Sequence, residues 1–139
     1  MSTLKILYID DNPEPALAKY LDKYQSDACN FEYSDIKFNP DEGYESLINN
    51  PDVKTANIIF IDSRLFENRN ATTGKFTGEE FKIILKKYFP FIEVVVITQN
   101  EIDKDYETVS KYDPKCGKLP EEYYDDKLPE LLEQSVRNI

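Results

Sequence analysis

The 139-residue sequence has no histidine and no tryptophan, one methionine, two cysteines and four glycines. The lack of histidine removes imidazole general acid–base chemistry, imidazole metal ligation and any phosphohistidine carrier role. Cys29 and Cys116 stand far apart with no Cys-x-x-Cys spacing, so a structural zinc site has no ligand set and two separate thiols are expected. No apolar run is long enough to cross a bilayer, and Met1–Lys5 leads straight into a strand-like segment instead of a signal peptide. The expectation is a cytoplasmic protein without membrane contact. Basic charge is scarce: 17 Lys and Arg face 27 Asp and Glu, for a formal net charge of -10. No basic cluster stands apart from the acids, so direct nucleic-acid binding is not expected. Such acidity suits a protein that gathers divalent cations or meets basic partner surfaces.

What is present is enough for one domain, with 40% hydrophobic residues to build its core. Three aliphatic runs stand out. Leu4–Ile9 ends in Asp10-Asp11-Asn12-Pro13, Ile58–Ile61 ends in Asp62, and Ile92–Ile97 ends in Thr98. Near-continuous Ile/Val runs of this length read as parallel strands buried on both faces. Phe31 to Phe38 is more polar, as an edge strand should be. Helical periods lie between the strands. Leu17, Leu21 and Tyr24 follow Asn12-Pro13, which offers a cap and a first-turn proline. Tyr44, Leu47 and Ile48 mark a shorter helix, and Phe81, Ile84, Leu85 and Tyr88 share one face of another. Thr77 and Glu80 have capping-box spacing there. A last amphipathic helix holds Tyr124, Leu128, Leu131, Leu132 and Val136, with Pro129 expected to kink it or mark its start. Residues 63–77 read as an extended loop. Strands and helices alternating in this way argue for an open α/β sheet with helices on both faces.

In such a sheet ligands bind beyond the carboxyl ends of the strands. Asp10 and Asp11 close the first strand, Asp62 the third and Thr98 the fourth, which would bring several carboxylates together. Like charges at close range repel unless a cation intervenes. A hard divalent ion such as Mg²⁺ accepts one or two carboxylates, a carbonyl and waters. The same set suits an aspartyl-phosphate site. A carboxylate is a weak nucleophile and needs a cation to organise the phosphoryl group, with a hydroxyl and an ammonium completing the cradle.

The chain resembles the response-regulator receiver family of two-component signalling over essentially its full length. The resemblance rests on Ile-Asp-Asp at residues 9–11, Ile-Ile-Phe-Ile-Asp ending at Asp62, Gly78-Glu79-Glu80-Phe81 opening a helix, and Val-Val-Val-Ile-Thr ending at Thr98. It implies a flavodoxin-like doubly wound five-stranded parallel sheet, in the order 2-1-3-4-5, forming one receiver domain without an output domain. It implies that Asp62 accepts phosphate from a histidine kinase or phosphotransfer protein. Mg²⁺ would be held by Asp10, Asp11, Asp62 and the Arg64 backbone carbonyl, and Thr98 would respond to the phosphoryl group. It implies a switch, not a turnover enzyme, with output by contact with another protein.

Some positions depart from the family pattern. Residues 63–77 are longer than usual, and Gln99 replaces the small residue expected after Thr98. The family's Lys-Pro step at the end of the fifth strand has no clean match, and its lysine has two candidates. Lys111 follows the strand-like Thr108-Val109-Ser110, whereas Lys118 precedes Leu119-Pro120 at the more usual chain spacing. Lys111 is the preferred choice. The aromatic expected three residues before it is absent at either choice. Taken singly, each feature has an ordinary explanation, such as a helix-end acid, a turn aspartate or a capping threonine. Two rival functions remain: a pseudo-receiver that binds partners without phosphotransfer, and a Mg²⁺-dependent phosphohydrolase. Against the second, Asn12 stands where such hydrolases usually carry a second Asp.

Overall fold

A strand that is apolar on both faces is stable only inside a sheet covered from both sides. The computed structural model describes residues 3–10, 12–25, 29–38, 45–62, 78–98, 108–110 and 117–138, and it builds such a sheet. The elements are β1 (Thr3–Asp10), α1 (Pro15–Lys23), β2 (Asn30–Lys37), α2 (Glu45–Ile48), α3 (Pro51–Thr55), β3 (Ile58–Asp62), α4 (Gly78–Tyr88), β4 (Glu93–Thr98), β5 (Thr108–Ser110) and α5 (Pro120–Asn138). Every strand pair is parallel, and the order is β2-β1-β3-β4-β5. Four strands in the order 2-1-3-4 carry the sheet. The three residues of β5 line its outer edge, with Thr98 opposite Ser110.

Strand alternation sends successive side chains to opposite faces. Leu7, Ile9, Ile59, Ile61 and Val94 pack against Leu47, Ile48, Val53, Phe81 and Leu85 of α2, α3 and α4. Ile6, Tyr8, Ile58, Phe60, Val95 and Ile97 pack against Leu17, Leu21, Tyr124, Leu128 and Leu132 of α1 and α5. Asn57 ties the central strands at their starting ends. Its Oδ1 accepts the Lys5 N–H at 2.8 Å, its N–H donates to the Lys5 carbonyl at 2.9 Å, and its carbonyl accepts the Glu93 N–H at 2.9 Å. At the other end of the sheet, the Phe38 N–H donates to the Asp10 carbonyl at 2.8 Å.

Several helix boundaries differ from the sequence expectation. Helix α1 is capped by Glu14 with Pro15 in its first turn, not by Asn12 and Pro13. The Asn12 N–H is turned back to Asp10 Oδ1 at 3.0 Å, so Asn12 belongs to the turn that leaves β1. Where one short helix was expected around Tyr44–Ile48, there are two. Asn50 caps α3 by accepting the Asp52 N–H at 2.8 Å, ahead of Pro51. On α4, Phe81 and Leu85 are buried and Ile84 partly so, but Tyr88 is 61% exposed and lies off the buried face. Helix α5 begins at Pro120 and continues through Pro129, so Pro129 does not mark its start. Thr77, Tyr44 and the 63–77 segment lie outside the described residues. Among the described residues, no helix is long and apolar enough to cross a membrane. Cys29 is a buried free thiol, and Cys116 lies outside the described residues.

Candidate functional site

The sheet changes winding direction between β1 and β3, because β2 lies on one side of β1 and all later strands on the other. A doubly wound sheet opens a crevice at this switch point, beyond the carboxyl ends of the strands. Asp10 ends β1 and Asp62 ends β3. The register pairs Ile9 with Ile61, so the two aspartates occupy the next step on strands about 4.8 Å apart. Both share the alternation of Ile6, Tyr8, Ile58 and Phe60, which places them on the α1/α5 side. Asp10 is 1% and Asp62 5% exposed, and carboxylates are seldom this buried without partners.

Two hydrogen bonds orient Asp10. Its Oδ2 accepts the Tyr8 hydroxyl at 2.6 Å, and its Oδ1 accepts the Asn12 N–H at 3.0 Å. Tyr8 is itself fully buried, and its phenolic oxygen accepts the Glu14 N–H at 3.1 Å. Burial is the main cause that pushes the Tyr8 phenol far above its ordinary value. The Asp10 charge, its hydrogen bond with Asp10 and the Asp62 charge add to that rise, while the Glu14 N–H opposes it. Tyr8 is therefore a hydroxyl donor throughout the physiological range, and it feels both aspartates. The Glu14 side chain accepts the Ala16 N–H at 3.2 Å, the Leu17 N–H at 2.7 Å and the Tyr124 hydroxyl at 2.8 Å. A chain of hydrogen bonds thus runs from Tyr124 on α5, through the start of α1, to Asp10.

The other expected positions fall differently. Thr98 ends β4, one step beyond the Asp62–Ile97 pair, which puts its backbone at the same end of the sheet. Asp11, Arg64, Gln99 and Lys111 lie outside the described residues. The strand proposed just before Lys111 is present as Thr108–Ser110. The alternative, Lys118, is not on a strand: it lies in the bend before α5 and is ion-paired with Asp126. Among the described residues no group of three or more metal-ligating side chains gathers.

Tyr8 and Glu14 were not singled out from the sequence, and Tyr124 was read there only as a position on the last amphipathic helix. One signal was available. Tyr8 is the one aromatic in the apolar run Ile6–Ile9, two residues before Asp10, so alternation alone puts its ring on the same face as that carboxylate. A buried phenol also needs a hydrogen-bond partner.

The fold has clear counterparts among solved structures. A two-component transcriptional regulator from Clostridium phytofermentans ISDg superposes with a TM-score of 0.51 at 21% identity, over 97% of this chain and 93% of that one. A CheY-like response regulator receiver domain protein from Methanospirillum hungatei JF-1 gives 0.56 at 16% identity, over 99% and 100%. This is the receiver fold. The isolated REC domain of RcsB from Salmonella enterica serovar Typhimurium, solved in the presence of phosphomimetic BeF3-, gives 0.52 at 20% identity, over 86% of this chain and 81% of that one. Neither a family model nor a curated protein matches the sequence. At these identities the likeness is one of backbone architecture, and the chemistry has to be argued from the side chains.

Proposed function

We propose that this receiver fold is a phospho-acceptor switch of two-component signalling, phosphorylated on Asp62. The observation that carries the reading is the pair of buried aspartates ending β1 and β3 at the switch point of a parallel sheet. Burial there has a cost that a purely structural turn residue need not bear. The donor set fits Mg²⁺, a hard cation that takes carboxylate oxygens, since two buried carboxylates close adjacent strand ends. Asp10 and Asp62 would hold the ion, joined by Asp11 and the Arg64 carbonyl as the receiver resemblance implies. When bound, Mg²⁺ supplies positive charge that screens the two aspartates and the phosphoryl oxygens from one another.

In the reaction, an Asp62 carboxylate oxygen attacks phosphorus in line with the donor's leaving group. The new bond is carboxyl O–P, and the broken one is the donor's P–N or P–O bond, whose electron pair leaves with the donor. Water later cleaves the acyl phosphate, releasing inorganic phosphate and restoring the carboxylate. Thr98, at the end of β4, and Lys111, just beyond β5, are the hydroxyl and ammonium proposed to contact the phosphoryl oxygens. The phosphodonor partner is a histidine kinase or phosphotransfer protein. The output is contact with a further protein, without direct nucleic-acid binding or membrane attachment, in the cytoplasm.

Incubation with Mg²⁺ and acetyl phosphate or phosphoramidate, followed by intact-mass measurement, tests this. One added phosphate is expected, absent without Mg²⁺ and absent in Asp62→Asn. A second reading, the pseudo-receiver, draws on the engagement of both Asp10 oxygens by Tyr8 and Asn12. It is favoured if no adduct forms and beryllium fluoride does not bind. Sustained turnover of a phosphate ester, abolished by Asp10→Ala, would favour the hydrolase instead.

A further inference from the structure

We infer that Tyr8 is a positioning residue for divalent-cation binding at this site, acting through Asp10; the inference rests on the metal-site reading above. A carboxylate at a strand end rotates about its two side-chain torsions, and a cation selects one orientation. Here the Tyr8 hydroxyl at 2.6 Å on Oδ2 and the Asn12 N–H at 3.0 Å on Oδ1 fix the carboxylate plane from both sides. The Tyr8 ring is fully buried against the α1/α5 core, so its hydroxyl has no freedom to follow a misplaced carboxylate. The hydroxyl oxygen is held in turn by the Glu14 N–H, and Glu14 by the first turn of α1 and by Tyr124. Hydrogen bonds from outside the ligand set that orient a ligand carboxylate raise metal affinity by about 10- to 100-fold. An ionised carboxylate offers about four acceptor sites, so these two hydrogen bonds are compatible with a cation on the same group.

The molecule carries its own control. Tyr33 donates to Asp35 Oδ2 at 2.9 Å with the same two-residue spacing, but this bond is exposed and lies on edge strand β2, on the side of β1 opposite the β1–β3 crevice. The experiment is calorimetric titration of the full chain with Mg²⁺ alone, comparing the natural sequence with Tyr8→Phe, Tyr33→Phe and Asp62→Asn. Each variant's fold is verified by thermal unfolding without metal. Tyr8→Phe should weaken Mg²⁺ binding about tenfold or more, and Tyr33→Phe should change it less than twofold. Should Tyr8→Phe fail to fold, the natural protein still gives an answer by NMR. Saturating Mg²⁺ should shift the ring Cζ resonance of Tyr8 and leave that of Tyr33 in place. A folded Tyr8→Phe variant within twofold of the natural affinity, or an unmoved Tyr8 resonance, would overturn the inference while leaving the site intact. Mg²⁺ binding absent from the natural protein would overturn both readings.

Discussion

Glu14 links β1, α1 and α5 through one residue. Its carboxylate caps α1 through two backbone N–H groups and accepts the hydroxyl of Tyr124, while its own N–H supports Tyr8. Loss of an N-cap costs about 1 kcal/mol, and loss of a hydrogen bond to a charged group about 1.5–3 kcal/mol. Glu14→Ala should therefore lower stability by about 2–4 kcal/mol in urea unfolding, with Glu14→Gln losing less. A cost below about 0.5 kcal/mol would show that the cap and the tyrosine bond are not coupled to the fold. The two aspartates were legible in the sequence because an acid directly after an aliphatic strand is conspicuous. Glu14 was not, since glutamate is an uncommon cap and Asn12-Pro13 looked the better one. What displaced Asn12 was Asp10, which takes the Asn12 N–H for its own carboxylate.

Among the elements, α4 and α5 show where periodicity succeeds and where it falls short. The period of α4 correctly identified Phe81 and Leu85, which are fully buried, but it included Tyr88, the last residue of the helix, which is exposed. Lys86 closes the last turn by donating to the carbonyls of Pro90 at 3.2 Å and Ile92 at 2.6 Å. Phe81→Ala should cost about 3–5 kcal/mol, and Tyr88→Ala should stay within about 0.5 kcal/mol. Equal costs for the two would contradict the burial assignment. In α5, Tyr124, Leu128 and Leu132 form one buried stripe that crosses Pro129. A proline in a helix interior removes one backbone donor and costs about 3 kcal/mol against alanine. The helix persists because its stripe is anchored on both sides of that position. Pro129→Ala should therefore raise the thermal midpoint, and a lowered midpoint would mean the proline ring packs into the core.

For the whole molecule, the sheet was readable because the apolar runs at β1, β3 and β4 are too hydrophobic for any solvent-facing surface. The placement of α1 beside α5 was less so, since it depends on tyrosine hydroxyls reaching acids more than 100 positions away. Tyr20 donates to Asp125 at 3.0 Å and Tyr24 to Glu133 at 2.8 Å. Burial first, and then those bonds and charges, push both phenols above their ordinary value of 10.0. A raised folded value means the protonated form is favoured in the native state. Its contribution is complete below the ordinary value and is lost as pH rises toward the folded one. Stability from these bonds should accordingly hold up to about pH 9 and fall above about pH 10, with a shallower fall in Tyr24→Phe. Urea midpoints across that range check this, and an unchanged midpoint up to about pH 11 would contradict it.

Asp62 gains its interest from its neighbours: a second buried aspartate at the adjacent strand end and a buried phenol that feels both charges. The most direct measurement traps the acyl phosphate chemically. After reaction with Mg²⁺ and acetyl phosphate, borohydride reduction converts an aspartyl phosphate to the alcohol, and peptide mass spectrometry locates it. The expected result is a single reduced position at residue 62, dependent on Mg²⁺ and strongly diminished in Asp10→Asn. No reduced residue, or reduction at an aspartate away from the β1 and β3 ends, would contradict the assignment of Asp62 as the phospho-acceptor.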